Sequence, residues 1–174
     1  MRAGPSPAAS SPAGKPFRMQ IQQTDLSGVV ILEPRVFADQ RGFFQEIYQK
    51  ERYAATGVAA DFVQDNYSRS AKGTLRGLHF QIEHAQGKLV QCLRGEVFDE
   101  NHRQLYVPPG FAHGFYVLSD MAEMFYKCDD YYFPQHERSL LWNDPAVGIE
   151  WPLADEPILS EKDRNGTPLS KIES

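Results

Sequence analysis

The sequence predicts an all-β fold, a sandwich or barrel with short peripheral helices. Two observations carry that expectation. Candidate strands are short and rich in β-branched and aromatic residues, and Gly or Pro closes them every few positions. The chain has 174 residues, 41% hydrophobic and 24% charged, which is the composition of one globular domain. A chain of that length buries roughly two-thirds of its unfolded surface. It therefore needs no disulfide framework, and only Cys92 and Cys128 are present.

Taken in order, residues 1–18 hold four prolines among Ala, Ser and Gly, with Arg2, Lys15 and Arg18 as their only charges. Such a segment offers little apolar surface to offset its ordering entropy, so a solvated tail is expected, with the domain spanning 19–174. From Met19 the pattern is mostly strand. Val29-Val30-Ile31-Leu32 is a β-branched run ended by Pro34. A strand over 43–48 and a short helix over 49–56, stopped at Gly57, follow. Further strands are predicted over 64–69, 75–81, 88–93, 96–99, 104–107, 115–118 and 123–128. Beyond Pro134 the chain reads as irregular, with a short helix near its end.

Charge and hydropathy exclude several functions. The net charge is -5, and outside the tail 15 Lys and Arg face 23 Asp and Glu. That balance disfavours a general nucleic-acid binder, and an anionic ligand would need a local cationic site. No run of ~18 apolar residues is present to span a membrane. There is no Cys/His cluster with the spacing of structural zinc.

Polar side chains cluster at glycine turns. His79 ends Gly73-Thr74-Leu75-Arg76-Gly77-Leu78-His79, and Lys88 opens the next strand. Strand alternation sends Leu75, Gly77 and His79 to one face and Arg76 and Leu78 to the other. His113 follows Pro108-Pro109-Gly110-Phe111-Ala112, and Tyr126 sits mid-strand. Taken singly, His79 reads more readily as a structural histidine, Tyr126 as core packing, Lys88 as solvated, and Asp99 and Asp163 as caps or surface charges. A β-walled hollow that gathered them would hold a base, a cation and a phenol together.

Pro108-x-Gly110-x-x-His113 resembles the second half of the cupin signature. The first half of that signature carries a His-x-His pair in metal-binding members, and here it reads His79-Phe80-Gln81. A transition-metal site would be short of ligands, so no metal is expected.

The larger resemblance rests on motifs that follow one another along the chain. They are Asp39-Gln40-Arg41-Gly42-Phe43-Phe44, Gln64-Asp65-Asn66-Tyr67-Ser68, Leu75-Arg76-Gly77-Leu78-His79 and Gln86-Gly87-Lys88-Leu89-Val90. Arg94-Gly95-Glu96-Val97-Phe98-Asp99, Pro108-Pro109-Gly110-Phe111-Ala112-His113-Gly114-Phe115, Tyr126-Lys127-Cys128, Trp142-Asn143-Asp144-Pro145 and Leu159-Ser160-Glu161-Lys162-Asp163 complete the set. Together they resemble the dTDP-4-dehydrorhamnose 3,5-epimerase family.

The resemblance implies a cupin-like jelly roll, a double-stranded β-helix, that works without a cofactor as a homodimer; a cytoplasmic location is expected from the sugar-nucleotide substrate and the lack of an obvious secretory signal. It implies dTDP-4-keto-6-deoxy-D-glucose as substrate and dTDP-4-keto-L-rhamnose as product. It makes His79 the base, Asp163 its orienting partner, Tyr126 the acid, Lys88 the enolate stabiliser and Asp99 a further polar group of the site. Arg41, Glu46, Gln64, Asn66, Arg76, His113, Glu137 and Lys162 match substrate-contact positions, and Tyr132 matches an aromatic that stacks on thymine. Readings that stay open are a 3-only or 5-only epimerase, a dTDP-sugar binding protein and a metal-dependent cupin oxygenase.

The chain departs from the family after Asp99. About 20 residues, the length of two strands and a hairpin, are expected to be missing between Asp99 and Gln104. The jelly roll should then have a shortened sheet and a new edge, with activity reduced or absent.

Overall fold

The computed structural model describes residues 19–58, 60–97 and 102–172. The proline-rich residues 1–18, and Phe98 and Asp99 of the strand expected over 96–99, lie outside them.

The strands are β1 (Gln20–Gln23), β2 (Val30–Glu33), β3 (Val36–Asp39), β4 (Gly42–Gln45), β5 (Gln64–Ala71), β6 (Leu75–Gln81), β7 (Lys88–Arg94), β8 (Gln104–Val107), β9 (His113–Tyr116), β10 (Met121–Cys128) and β11 (Glu137–Ser139). Two short helices join them, α1 (Lys50–Ala54) and α2 (Glu161–Arg164). A large antiparallel sheet runs β1-β2-β8-β7-β10-β5, and a small one runs β11-β6-β9. β3 and β4 form a separate hairpin. Crossovers between the two sheets give the jelly roll that the resemblance implies, within the all-β class that the residue pattern predicts.

The apolar core is built at two levels. Val30, Leu32 and Leu89 of the large sheet pack with Tyr53 of α1 and Val58. Val97, Val117, Ala122 and Met124 form a second cluster with Val90 and Phe115 against it. Beside the first cluster a polar chain that starts at Tyr53 is fully paired. Tyr53 Oη donates to Gln104 Oε1 at 2.7 Å, and Gln104 Nε2 donates to Gln91 Oε1 at 3.1 Å and to the Ile47 carbonyl at 2.7 Å. Each of these buried groups would cost ~1–3 kcal/mol if left without a partner, so the chain fixes how α1 and its preceding loop seat on β7 and β8.

Glycine sets how closely the small sheet's strands approach. A Cβ at Gly77 would stand 2.6 Å from Gly114 Cα, and one at Gly114 would stand 2.5 Å from the Arg76 carbonyl oxygen. Gly77 also has φ +134°, which L side chains rarely adopt. This crossing brings His79 of β6 opposite His113 of β9.

Three sequence expectations change. β1, β3 and β11 are strands that local pattern did not single out; they are three or four residues long, and β1 and β3 are mostly exposed. The strand expected over 115–118 begins two residues earlier, at His113. Arg76 and His79 do not alternate to opposite faces, because the β6–β9 register shifts between them. Among the described residues β11 and β9 are the end strands of the small sheet.

Candidate active site

Strand alternation builds one wall of a cavity of about 340 Å³ between the sheets. On β5, Gln64, Asn66 and Ser68 turn inward while Asp65, Tyr67 and Arg69 are exposed. β7 contributes Lys88 and Val90, and β10 contributes Met124 and Tyr126. Tyr126 pairs in register with Asn66 on one side and Val90 on the other. The small sheet supplies the facing wall, with Arg76 and His79 from β6, His113 from β9 and Glu137 from β11. Tyr132 and Lys162 close the rim. His79 and Tyr126 thus come from opposite sheets and line the same hollow.

Behind His79 stands Asp163, with Oδ1 2.5 Å from His79 Nε2. The imidazole is 23% exposed and the carboxylate only 3%, so water does not compete for this bond. Burial pulls the His79 pKa below its usual 6.5, with Asp163 acting against that pull. The ring is therefore neutral at neutral pH, and its Nε2 is committed to the carboxylate. Nδ1 remains as the basic nitrogen.

Lys88 Nζ lies 3.0 Å from His113 Nε2 and 5.7 Å from the centre of the Tyr126 ring. His113 Nδ1 faces the Phe111 carbonyl at 3.4 Å. Those partners fix a neutral imidazole that accepts from lysine. Burial, helped by the Lys88 charge, drives the His113 pKa down to about 3. Burial also lowers the Lys88 pKa and raises that of Tyr126, which keeps the phenol protonated. At the rim, Glu137 accepts from Tyr132 Oη at 3.0 Å and pairs with Lys162 at 2.9 Å. Burial opposes its charge, yet the hydrogen bonds from Lys162 and Tyr132 leave its pKa below the ordinary value. Arg76 is anchored by its Nε to Ser70 Oγ at 2.9 Å.

Of the site residues expected from sequence, His79, Lys88, Tyr126, Gln64, Asn66, Arg76, His113, Tyr132, Glu137 and Lys162 meet at this cavity, and Asp163 backs it. Arg41 and Glu46 do not reach it within one chain. Arg41, on the hairpin, has its guanidinium 84% exposed and pairs with Asp39; Glu46 pairs with Arg52. Asp99 lies outside the described residues. Sequence reasoning passed over Gln86 and Ser68, which also line the cavity. Ser68 was legible as the next inward position after Gln64 and Asn66; Gln86, in a loop, carried no such signal. Among the described residues no group of three or more His, Cys, Asp or Glu is disposed to hold a metal ion.

The fold and this arrangement define a jelly-roll protein with an acid–base proton-transfer site. The family model for dTDP-4-dehydrorhamnose 3,5-epimerase matches residues 23–100 and 99–171, and the chain belongs to that family. It is 49% identical to the dTDP-4-dehydrorhamnose 3,5-epimerase of Pseudomonas aeruginosa, over 85% of this chain and 94% of that one. The dTDP-6-deoxy-D-glucose-3,5-epimerase of Legionella pneumophila, solved with dTDP-4-keto-L-rhamnose, superposes with a TM-score of 0.86 at 44% identity, covering 90% of this chain and 95% of that one. The Bacillus anthracis dTDP-4-dehydrorhamnose 3,5-epimerase with TDP and PPi bound gives a TM-score of 0.82 at 43% identity, over 87% and 100%. The two family matches meet at residues 99–100. The alignment to the Pseudomonas relative spans 171 positions but uses 85% of this 174-residue chain, so roughly 20 positions face no residue here. The break between the two family matches falls where a gap is expected, after Asp99.

Proposed function

We propose that this chain epimerises dTDP-4-keto-6-deoxy-D-glucose at C3 and C5 to dTDP-4-keto-L-rhamnose. The observation that carries this is the placement of His79, backed by Asp163 of α2, on one sheet and Tyr126 with Lys88 on the other, around a single hollow. The C4 ketone acidifies the protons on C3 and C5. His79 Nδ1 takes the proton from C3, and the C3–H electron pair becomes the enolate, with its charge on the C4 oxygen. Lys88 stabilises that charge. Tyr126 returns a proton to the opposite face, which inverts the carbon. His79 then loses its proton to solvent, Tyr126 regains one, and the cycle repeats at C5. Nothing is oxidised or reduced overall.

Cationic groups at the mouth suit a nucleotide diphosphate in an otherwise acidic chain. Arg76 and Lys162 supply charge from within the chain. Tyr132 is partly exposed at the rim, where its ring is available to stack on thymine. Arg41 and Glu46 fit this function as parts of a homodimer, with the β3–β4 hairpin of one protomer reaching the cavity of its partner. In support, Phe43 and Phe44 of that hairpin are 61% and 68% exposed, an apolar surface suited to a subunit contact. Mixing an Arg41→Ala chain with a His79→Ala chain should then restore activity through hybrid dimers.

The direct test is incubation with dTDP-4-keto-6-deoxyglucose in deuterated water. Deuterium at both C3 and C5 of the product supports the proposal; none at either carbon rejects it. The gap after Asp99 favours a second reading, a dTDP-sugar binding protein without turnover. Tight dTDP binding without deuterium uptake would select that reading.

A further inference from the structure

Asp163 orients the imidazole, but a carboxylate at the N-terminal turn of a four-residue helix is itself free to rotate unless something grips it. Ser160, the residue that caps α2, does so in two ways. Its Oγ accepts from the Asp163 backbone N–H at 3.1 Å and donates to Asp163 Oδ2 at 2.8 Å. The first bond is ordinary helix capping. The second is not required for a cap: it spends the hydroxyl's single proton on the carboxylate. Each oxygen of Asp163 then has its own partner among the described residues, Ser160 for Oδ2 and His79 for Oδ1. The Asp163 side chain is 3% exposed, so a rotated or half-paired form would carry the desolvation cost of a buried anion.

We infer that Ser160 is a positioning residue for the base, holding through one hydroxyl the carboxylate that fixes the orientation of His79. The inference rests on the epimerase reading for its catalytic consequence, but its geometric content stands apart from it. Ser160 is absent from the substrate cavity's lining and sits instead at an adjoining cleft, beside Asp163. Losing its hydroxyl should therefore lower kcat and spare KM. The charged or titratable groups around His79 are Asp163 and Lys162 of α2, Glu137 of β11 and His113 of β9. Of these, Asp163 alone hydrogen-bonds the ring and favours its protonated form at contact. When Asp163 turns away, the acidic limb of the kcat/KM profile should move to lower pH.

Two substitutions separate positioning from capping. Gly caps a helix nearly as well as Ser but has no hydroxyl, whereas Thr keeps both functions. Expected for Ser160→Gly are a thermal midpoint close to that of the parent, kcat about 10-fold lower, KM unchanged and the displaced acidic limb. Ser160→Thr should restore all of these. Proton NMR of the His79 imidazole supplies a readout independent of turnover. The downfield Nε2 proton shared with Asp163 should be present in the parent and in Ser160→Thr, and lost in Ser160→Gly. A Ser160→Gly chain that keeps that signal and the parent's acidic limb overturns the inference. If the parent takes up no deuterium from solvent yet the imidazole signal follows this pattern, the epimerase reading fails and the positioning role stands.

Discussion

Lys88 Nζ and His113 Nε2 meet at 3.0 Å inside the cavity, an ammonium held by an imidazole that stays uncharged. The pair aims the cation at the space between His79 and Tyr126 and keeps a second positive charge out of it. Its stability has a pH signature. In the unfolded chain His113 takes up a proton near pH 6.5, while in the folded protein it resists protonation down to about 3. Between those values the unfolded state binds more protons, so stability falls as pH drops below 6.5. From pH 6.5 to 5, before most carboxylates titrate, His113→Gln should flatten that fall in a plot of unfolding midpoint against pH.

His79 and Asp163 should fail together. His79→Ala removes the base and should lower kcat by about 10²–10⁴. Asp163→Asn keeps the shape but removes the charge facing Nε2, and should also lower kcat, with little effect on dTDP affinity. Steady-state kinetics beside dTDP titration would check both, and a substantial loss of nucleotide binding in Asp163→Asn would contradict the assignment.

Tyr126→Phe removes one oxygen and keeps the ring that packs beside Val90 and Asn66. It should fold as the parent does and lower product formation by about 10² or more. His79 still faces substrate in that variant. Washout of a C3 deuterium label from the substrate should therefore persist while inverted product does not accumulate.

The activity of the parent should rise with pH through the ionisation of His79. Burial lowers that pKa, so the half-maximal point of kcat/KM on the acid side should lie below 6.5. A limb centred above 6.5 would mean that the Asp163 charge outweighs desolvation.

Gly114→Ala would set a methyl group 2.5 Å from the Arg76 carbonyl oxygen. The strands must part, at a cost of about 1–3 kcal/mol, and His79 moves away from His113. A lower unfolding midpoint together with lost activity is expected, measured by thermal melting and the deuterium assay.

Much of this was legible in the residues. Glycine- and proline-cut runs located β5, β6, β7, β8 and β10, since turn residues bound each of them in the sequence. β11 escaped because three residues are too few to show a period; its place comes from pairing with β6 across a distant part of the chain. The gathering of Arg76 and His79 on one wall was invisible for a related reason. Alternation is a local rule, whereas the register shift that breaks it arises where β9 meets β6. Ser160 was hidden in plain view as a helix cap, and its second bond becomes visible only once the Asp163 rotamer is known.

The contact between His79 and Asp163 joins positions 84 residues apart. During synthesis the strand carrying the imidazole is complete long before its carboxylate leaves the ribosome. Competence for proton abstraction is thus conferred only once residue 163 has emerged, and a protease that clipped the chain between β11 and α2 would leave every described strand upstream of the cut while silencing the chemistry.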